Sequence, residues 1–194
     1  MSFNDSLPEH DSLEELFNHM MQMDDDPLAD AGTNVVISRG NPDASVLVIG
    51  EAPGPQENIQ GKPFVGRAGK LLDKILRAVD FDPEQDVFII NSVFRMPPGQ
   101  DGKTFRRPNS REINFYRKYV QEIIRLVDPQ IILLTGNVAC QSLLGKTGIT
   151  RLRGQWIERD GRWIRPVFHP SYLLRRPART PGSPKALMWE DIQE

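Results

Sequence analysis

Cysteine occurs once in the 194 residues, at Cys140. One thiol excludes an intrachain disulfide and any metal centre made from several thiolates of a single chain. No window approaches the ~18 consecutive apolar residues that a membrane span needs. Met1-Ser2-Phe3-Asn4-Asp5 lacks the basic and apolar regions of a secretory leader, so a cytoplasmic protein is expected. Histidine is scarce: His10, His19 and His169 are the whole set, and no two sit at metal-ligand spacing. No G-x-S-x-G is present, and no G-x-G-x-x-G follows an apolar run. Gly61 to Gly66 has the glycine spacing of a P-loop, but Arg67-Ala68 replaces the Lys and Ser/Thr that hold phosphate and magnesium. These absences speak against a zinc enzyme, an α/β-hydrolase and a nucleotide hydrolase.

The first thirty residues hold nine acids and no Lys or Arg. Residues 1–90 carry 6 basic and 17 acidic side chains, a balance of −11; residues 91–194 carry 18 and 9, a balance of +9. The net charge of −2 hides that split. A polyanion partner for the basic half is one reading, and a solvated surface is the other. Length and an ordinary apolar content suit a single globular domain.

Three short apolar runs read as strands buried on both faces: Ser45 to Gly50, Val87 to Asn91 and Ile131 to Gly136. A fourth, Trp163 to His169, contains Pro166 and is expected at a sheet edge. Gln155 to Ile164, centred on Asp160-Gly161, reads as a hairpin. Helices are expected from Ser12-Leu13-Glu14-Glu15 to about Met23, over Gly69 to Val79, from Asn109-Ser110-Arg111-Glu112 to about Val127, over Asn137 to Leu144 and over Lys185 to Gln193. Gln100 to Arg107 reads as a polar, basic, mobile loop. The expected architecture is α/β, a three-layer αβα sandwich around a mainly parallel four-stranded sheet. An acidic extension with a short helix would occupy residues 1–33, and one domain residues 34–194.

Ligands of open α/β sheets bind beyond the C-terminal ends of the strands. The polar residues just past three of the runs are Glu51, Asn91 and His169. A parallel sheet gathers them at one rim, as a carboxylate, an amide and an imidazole. Taken singly they read as a surface acid, a turn cap and a loop histidine; at three successive strand ends they read as a site.

At these residues the sequence resembles a known family. Gly50-Glu51-Ala52-Pro53-Gly54 with Gln60-Gly61-Lys62-Pro63-Phe64-Val65-Gly66-Arg67-Ala68-Gly69 is similar to the first motif of the family 4 uracil-DNA glycosylases. Asn91-Ser92-Val93 with Pro97-Pro98-Gly99 resembles their second motif, and His169-Pro170-Ser171-Tyr172-Leu173 their last. Ile149-Thr150-Arg151-Leu152-Arg153-Gly154 also fits, and the resemblance runs in order over about residues 34–193.

It implies hydrolysis of the N-glycosidic bond of deoxyuridine in an everted nucleotide, a base-excision-repair step without strand cleavage. Phe64 would stack on the uracil, with a core phenylalanine as the alternative. Asn91 would pair with O4 and N3, His169 would donate to O2 as charge grows there, and Glu51 with Ala52 would help place base and water. Leu173 would be an apolar wedge or else an ordinary core leucine. Arg151, Arg153, Arg175, Arg176 and Arg179 would contact phosphates, with Gly54 and Ser171 adding donors; Lys62 is a phosphate contact or plain surface. The implied partner is uracil-containing DNA, with no membrane, and a monomer is expected.

Departures from the family are informative. Its members hold a four-iron, four-sulfur cluster on four cysteines, whose positions here fall at Met23, Asp26, Arg95 and Tyr116. No cluster is expected, and packing or ion pairing involving Arg95 would take its place. Gln100 stands where the family has Asn. The following basic loop lacks the histidine with which a related subgroup traps DNA, so no trapping is expected. A catalytically degraded relative that only binds DNA or another partner is the alternative to an active glycosylase.

Overall fold

A computed structural model describes residues 9–100, 104–176 and 178–194. The Met1–Asp5 stretch and residues 101–103 of the basic loop lie outside the described residues. Among the described residues there are six strands: β1 (Ser38–Gly40), β2 (Val46–Gly50), β3 (Val87–Asn91), β4 (Ile131–Thr135), β5 (Ile157–Arg159) and β6 (Arg162–Val167). They form one sheet in the order β1-β3-β2-β4-β6-β5, parallel except for the two outer strands. The expected four-stranded count is therefore corrected to six. The additions are β1, antiparallel to β3, and β5, antiparallel to β6.

The position expected for Pro166 is corrected too, because β6 is interior. Pairing with β5 ends at Ile164, so the ring that lacks an N–H lies past the end of its neighbour. The β5–β6 turn has positive φ at both Asp160 (52°) and Gly161 (75°), the backbone signature of a tight type I′ hairpin.

Eight helices are described: α1 (Leu13–Met21), α2 (Pro55–Gln60), α3 (Arg67–Arg77), α4 (Ser110–Val127), α5 (Asn137–Leu144), α6 (Ile149–Leu152), α7 (Pro170–Arg175) and α8 (Pro184–Ile192). The caps follow the sequence. The Ser12 side chain accepts from Glu15 N at 3.2 Å. Asn109 and Glu112 exchange bonds at 3.0 and 2.8 Å, a reciprocal box at the start of α4. The short helices α2, α6 and α7 were not expected.

Strand alternation divides the interior in two. Leu47, Ile49, Phe88, Ile90, Ile132 and Leu134 pack with α1, α4 and α5. Val46, Val48, Val87, Ile89 and Leu133 pack with α3, α7 and α8. Successive strand side chains point to opposite faces, so each strand feeds both cores. Leu16 and Met20 of α1 belong to the first core, which ties the helix of the acidic N-terminal stretch to the sheet. Among the described residues, no helix is long and apolar enough to cross a membrane.

Candidate active site

The C-terminal ends of β2 and β3 are held level by a bonded rim. Ser92 N and its hydroxyl both donate to Gly50 O, at 3.0 and 2.6 Å, and Val93 N donates to Glu51 O at 3.2 Å. Thr135 Oγ1 donates to Ile49 O at 3.1 Å, and Gly136 N to Val167 O at 2.9 Å, extending the rim to β4 and β6. Glu51, Asn91 and His169 leave this rim into a single cleft of about 870 Å³, which Ala52 and Phe64 also line. The strand-end trio is thus brought together.

Two glycines make that convergence possible. A Cβ on Gly50 would overlap both Asn91 Oδ1 and the Phe64 ring, so the amide and the aromatic edge lie side by side over that backbone. Gly136 has φ +90°, and a Cβ there would come within 2.9 Å of His169 Cβ. Only glycine meets both conditions cheaply. Sequence reasoning placed both at strand ends without assigning them this role.

Phe64 has φ 54°, a left-handed conformation that costs a non-glycine residue about 1–3 kcal/mol unless its surroundings impose it. Arg39 imposes it. Its Nε donates to Pro63 O at 2.9 Å and its Nη2 to Phe64 O at 3.3 Å. The same guanidinium pairs with Asp73 of α3 and, at 2.6 Å, with Glu84. The Phe64 ring then lies 5.8 Å from the His169 imidazole, tilted by 31°. Phe64 both joins the second core and lines the cleft. Arg39 carried no signal in the sequence beyond a lone arginine beside an apolar run.

The imidazole has a defined tautomer. Ser171 N donates to His169 Nδ1 at 3.1 Å, and the Ser171 hydroxyl lies 2.8 Å from the same nitrogen. A nitrogen that accepts is unprotonated, so the neutral ring carries its proton on Nε2. Burial pushes the His169 pKa down to about 4, and Arg175 and Arg107 push the same way. Glu51 moves oppositely. Burial raises it above the ordinary carboxylate value, while Arg107 and Arg175 pull it back. Arg107 Nε lies 3.9 Å from Glu51 Oε1.

The side chains expected to contact DNA lie in different surroundings. Leu173 is 1% exposed and belongs to the second core; its neighbour Leu174 lines the cleft instead. Gly54 and Ser171 both line the cleft, where Gly54 N donates to Glu57 Oε2 at 3.1 Å and Ser171 N to His169 Nδ1 at 3.1 Å. Arg153 pairs with Asp191, donates to Leu187 O at 2.9 Å and lies over the Phe168 ring. It fastens α8 rather than facing the cleft. Arg175 lines the cleft, joined by Arg67, Arg106 and Arg107. Arg151, Arg176, Arg179 and Lys62 are exposed away from the cleft lining.

The comparisons with known proteins agree with this geometry. Residues 37–193 match the family model described as the uracil DNA glycosylase superfamily. The chain belongs to that superfamily. It is 36% identical over 165 residues to the type-4 uracil-DNA glycosylase of Thermotoga maritima, covering 84% of this chain and 81% of the relative. It is 32% identical over 176 residues to the type-4 uracil-DNA glycosylase of Archaeoglobus fulgidus, covering 86% and 85%. A stretch of 152 residues is 32% identical to a DNA polymerase of Bacillus phage SP01, covering 78% of this chain but 16% of that protein.

The positions expected for cluster cysteines meet in space. Arg95 Nε donates to Asp26 Oδ2 at 2.9 Å, Arg95 Nη2 to Met23 O at 3.3 Å, and Tyr116 OH to Asp26 Oδ1 at 2.7 Å. Leu28 N also donates to Asp26 Oδ1, at 2.8 Å. These groups are a carboxylate, a guanidinium, a phenol and a backbone carbonyl, and they satisfy one another. They do not fit a cluster bound by four thiolates, and Cys140 is buried in α5.

Proposed function

We propose that this protein is a monofunctional uracil-DNA glycosylase, hydrolysing the bond between uracil and deoxyribose to leave an abasic site. The observation that carries the reading is the union in one cleft of Glu51, Phe64, Asn91 and the Nε2–H tautomer of His169.

The chemistry follows from these groups. Phe64 offers a flat apolar wall for the face of an everted base. Asn91, 2% exposed, offers an amide donor and acceptor to the uracil edge. Cytosine presents the reverse pattern, and each buried polar group left unpaired costs about 1–3 kcal/mol. As the glycosidic bond breaks, its electron pair moves onto the base and negative charge grows at O2. The His169 Nε2–H donates there, and a neutral donor needs no loss of its own proton. Glu51, as a carboxylate, orients the water that attacks the electron-poor sugar carbon and takes up its proton. Arg67, Arg107 and Arg175 supply the positive rim that holds phosphates. Both glycosylase relatives named above carry this activity in their names, which supports the same reading here.

The experiment is incubation with an oligonucleotide containing one uracil, followed by alkali. Cleavage at the uracil, and none without alkali, is expected. Binding without an abasic product would leave a protein that only holds DNA.

A further inference from the structure

Turning a nucleotide out of a duplex leaves a gap in the base stack, and enzymes that do so commonly fill it with an apolar side chain. The sequence pointed to Leu173 for this part, and the core has taken that residue. Among the described residues, seven large apolar side chains are well exposed: Met21, Ile59, Phe81, Phe105, Trp156, Trp163 and Trp189. Phe105 alone of these lines the cleft.

Its backbone is fixed. Pro98 and Phe105 pair in an antiparallel bridge, Gly99 N donates to Thr104 O at 2.7 Å, and Arg106 N donates to Pro97 O at 3.1 Å. The next residue anchors this pairing to α4. Arg106 Nη1 and Nη2 bond the Glu112 carboxylate at 2.9 and 2.6 Å, and that carboxylate also caps α4. The residue after that, Arg107, reaches Glu51 inside the cleft. An aromatic ring 58% exposed is thus held at the cleft by a bonded stem, and the two arginines that follow it in sequence also line the cleft.

We propose that Phe105 is the side chain that enters the base stack when the target nucleotide leaves it. The proposal rests on the glycosylase reading above, since a wedge has work only where a base is everted. A wedge matters where stacking and pairing must be broken, so it distinguishes duplex from single-stranded substrate.

The test compares single-turnover rates on one uracil-containing sequence, as duplex and as single strand. In Phe105→Ala the duplex rate is expected to fall about tenfold or more, while the single-strand rate changes far less. Phe105→Leu and Phe105→Trp are expected to restore most of the duplex rate. Equal loss on both substrates would overturn the proposal, because it would make Phe105 a general DNA contact. No loss on either would overturn it, as would a duplex-selective loss in Leu174→Ala that Phe105→Ala does not show. An unaltered protein inert on both substrates would remove the glycosylase reading itself and this proposal with it, a result unlike any of the others.

Discussion

His169 and Glu51 respond to the same burial in opposite directions, and that difference sets the expected pH dependence. The pKa of His169 lies near 4, so its ring stays neutral down to about that pH. Glu51 is raised, so as pH falls it takes up its proton first. The rate is therefore expected to drop on the acid side as Glu51 protonates, above the range in which His169 changes charge. Arg107 lowers the Glu51 value, so Arg107→Ala should move that limb to higher pH, read from single-turnover rates across pH 4 to 8. His169→Ala should cost about 10²–10³-fold in rate, the usual loss of one donor to a developing anion. The strand-end trio was legible because apolar runs end abruptly at polar residues. Leu173 takes the second of its two readings, an ordinary core leucine; the sequence left both open because the choice between Leu173 and Leu174 depends on the rotation of the six-residue α7, and two adjacent leucines leave no periodicity to read.

At the scale of elements, the edges of the sheet were the least visible in sequence. β1 is three residues, too short to show alternation, and it pairs along the open ladder of β3; β5 is the first arm of the expected Gln155–Ile164 hairpin, whose turn residues made it legible, and only its place in the strand count was missed. The cost of missing β1 was missing Arg39, which holds the Phe64 turn. Arg39→Ala leaves the Pro63 and Phe64 carbonyls without that donor and Asp73 without its ion pair. A stability loss of about 1–3 kcal/mol in urea unfolding is expected, together with a raised KM, because the released turn no longer fixes the stacking ring. Gly50→Ala should be worse for the site, since the added methyl collides with both Asn91 and Phe64. The helices with capping boxes were read nearly to the residue, because the caps are local chemistry. α2 and α7 each open with a proline and run six residues, which leaves little periodicity.

For the whole molecule, the count of basic residues overstated the basic surface. Arg95, Arg125, Arg153, Arg162 and Arg165 are all paired with carboxylates within the fold. The Asp26–Arg95–Tyr116 network ties the segment after α1 to α4 and to the chain beyond β3, linking stretches far apart in sequence. Removing one member leaves a buried charge unpaired, at a cost of about 3–5 kcal/mol; replacing both with apolar groups costs less. Arg95→Met should therefore lower stability more than Asp26→Leu with Arg95→Met, as read by urea unfolding. Motif register alone found these positions, but the hydrogen bonds that join them could be seen only in three dimensions.

On the proposed mechanism, one pocket grips uracil and stabilises the charge it leaves with. The most direct measurement is the time course of free uracil released from a single-uracil oligonucleotide, with the unaltered protein and with folded Asn91→Ala and His169→Ala. Stoichiometric uracil release by the unaltered protein is expected, with a loss of at least about a hundredfold in each variant. Uracil release at an undiminished rate by either variant would contradict it.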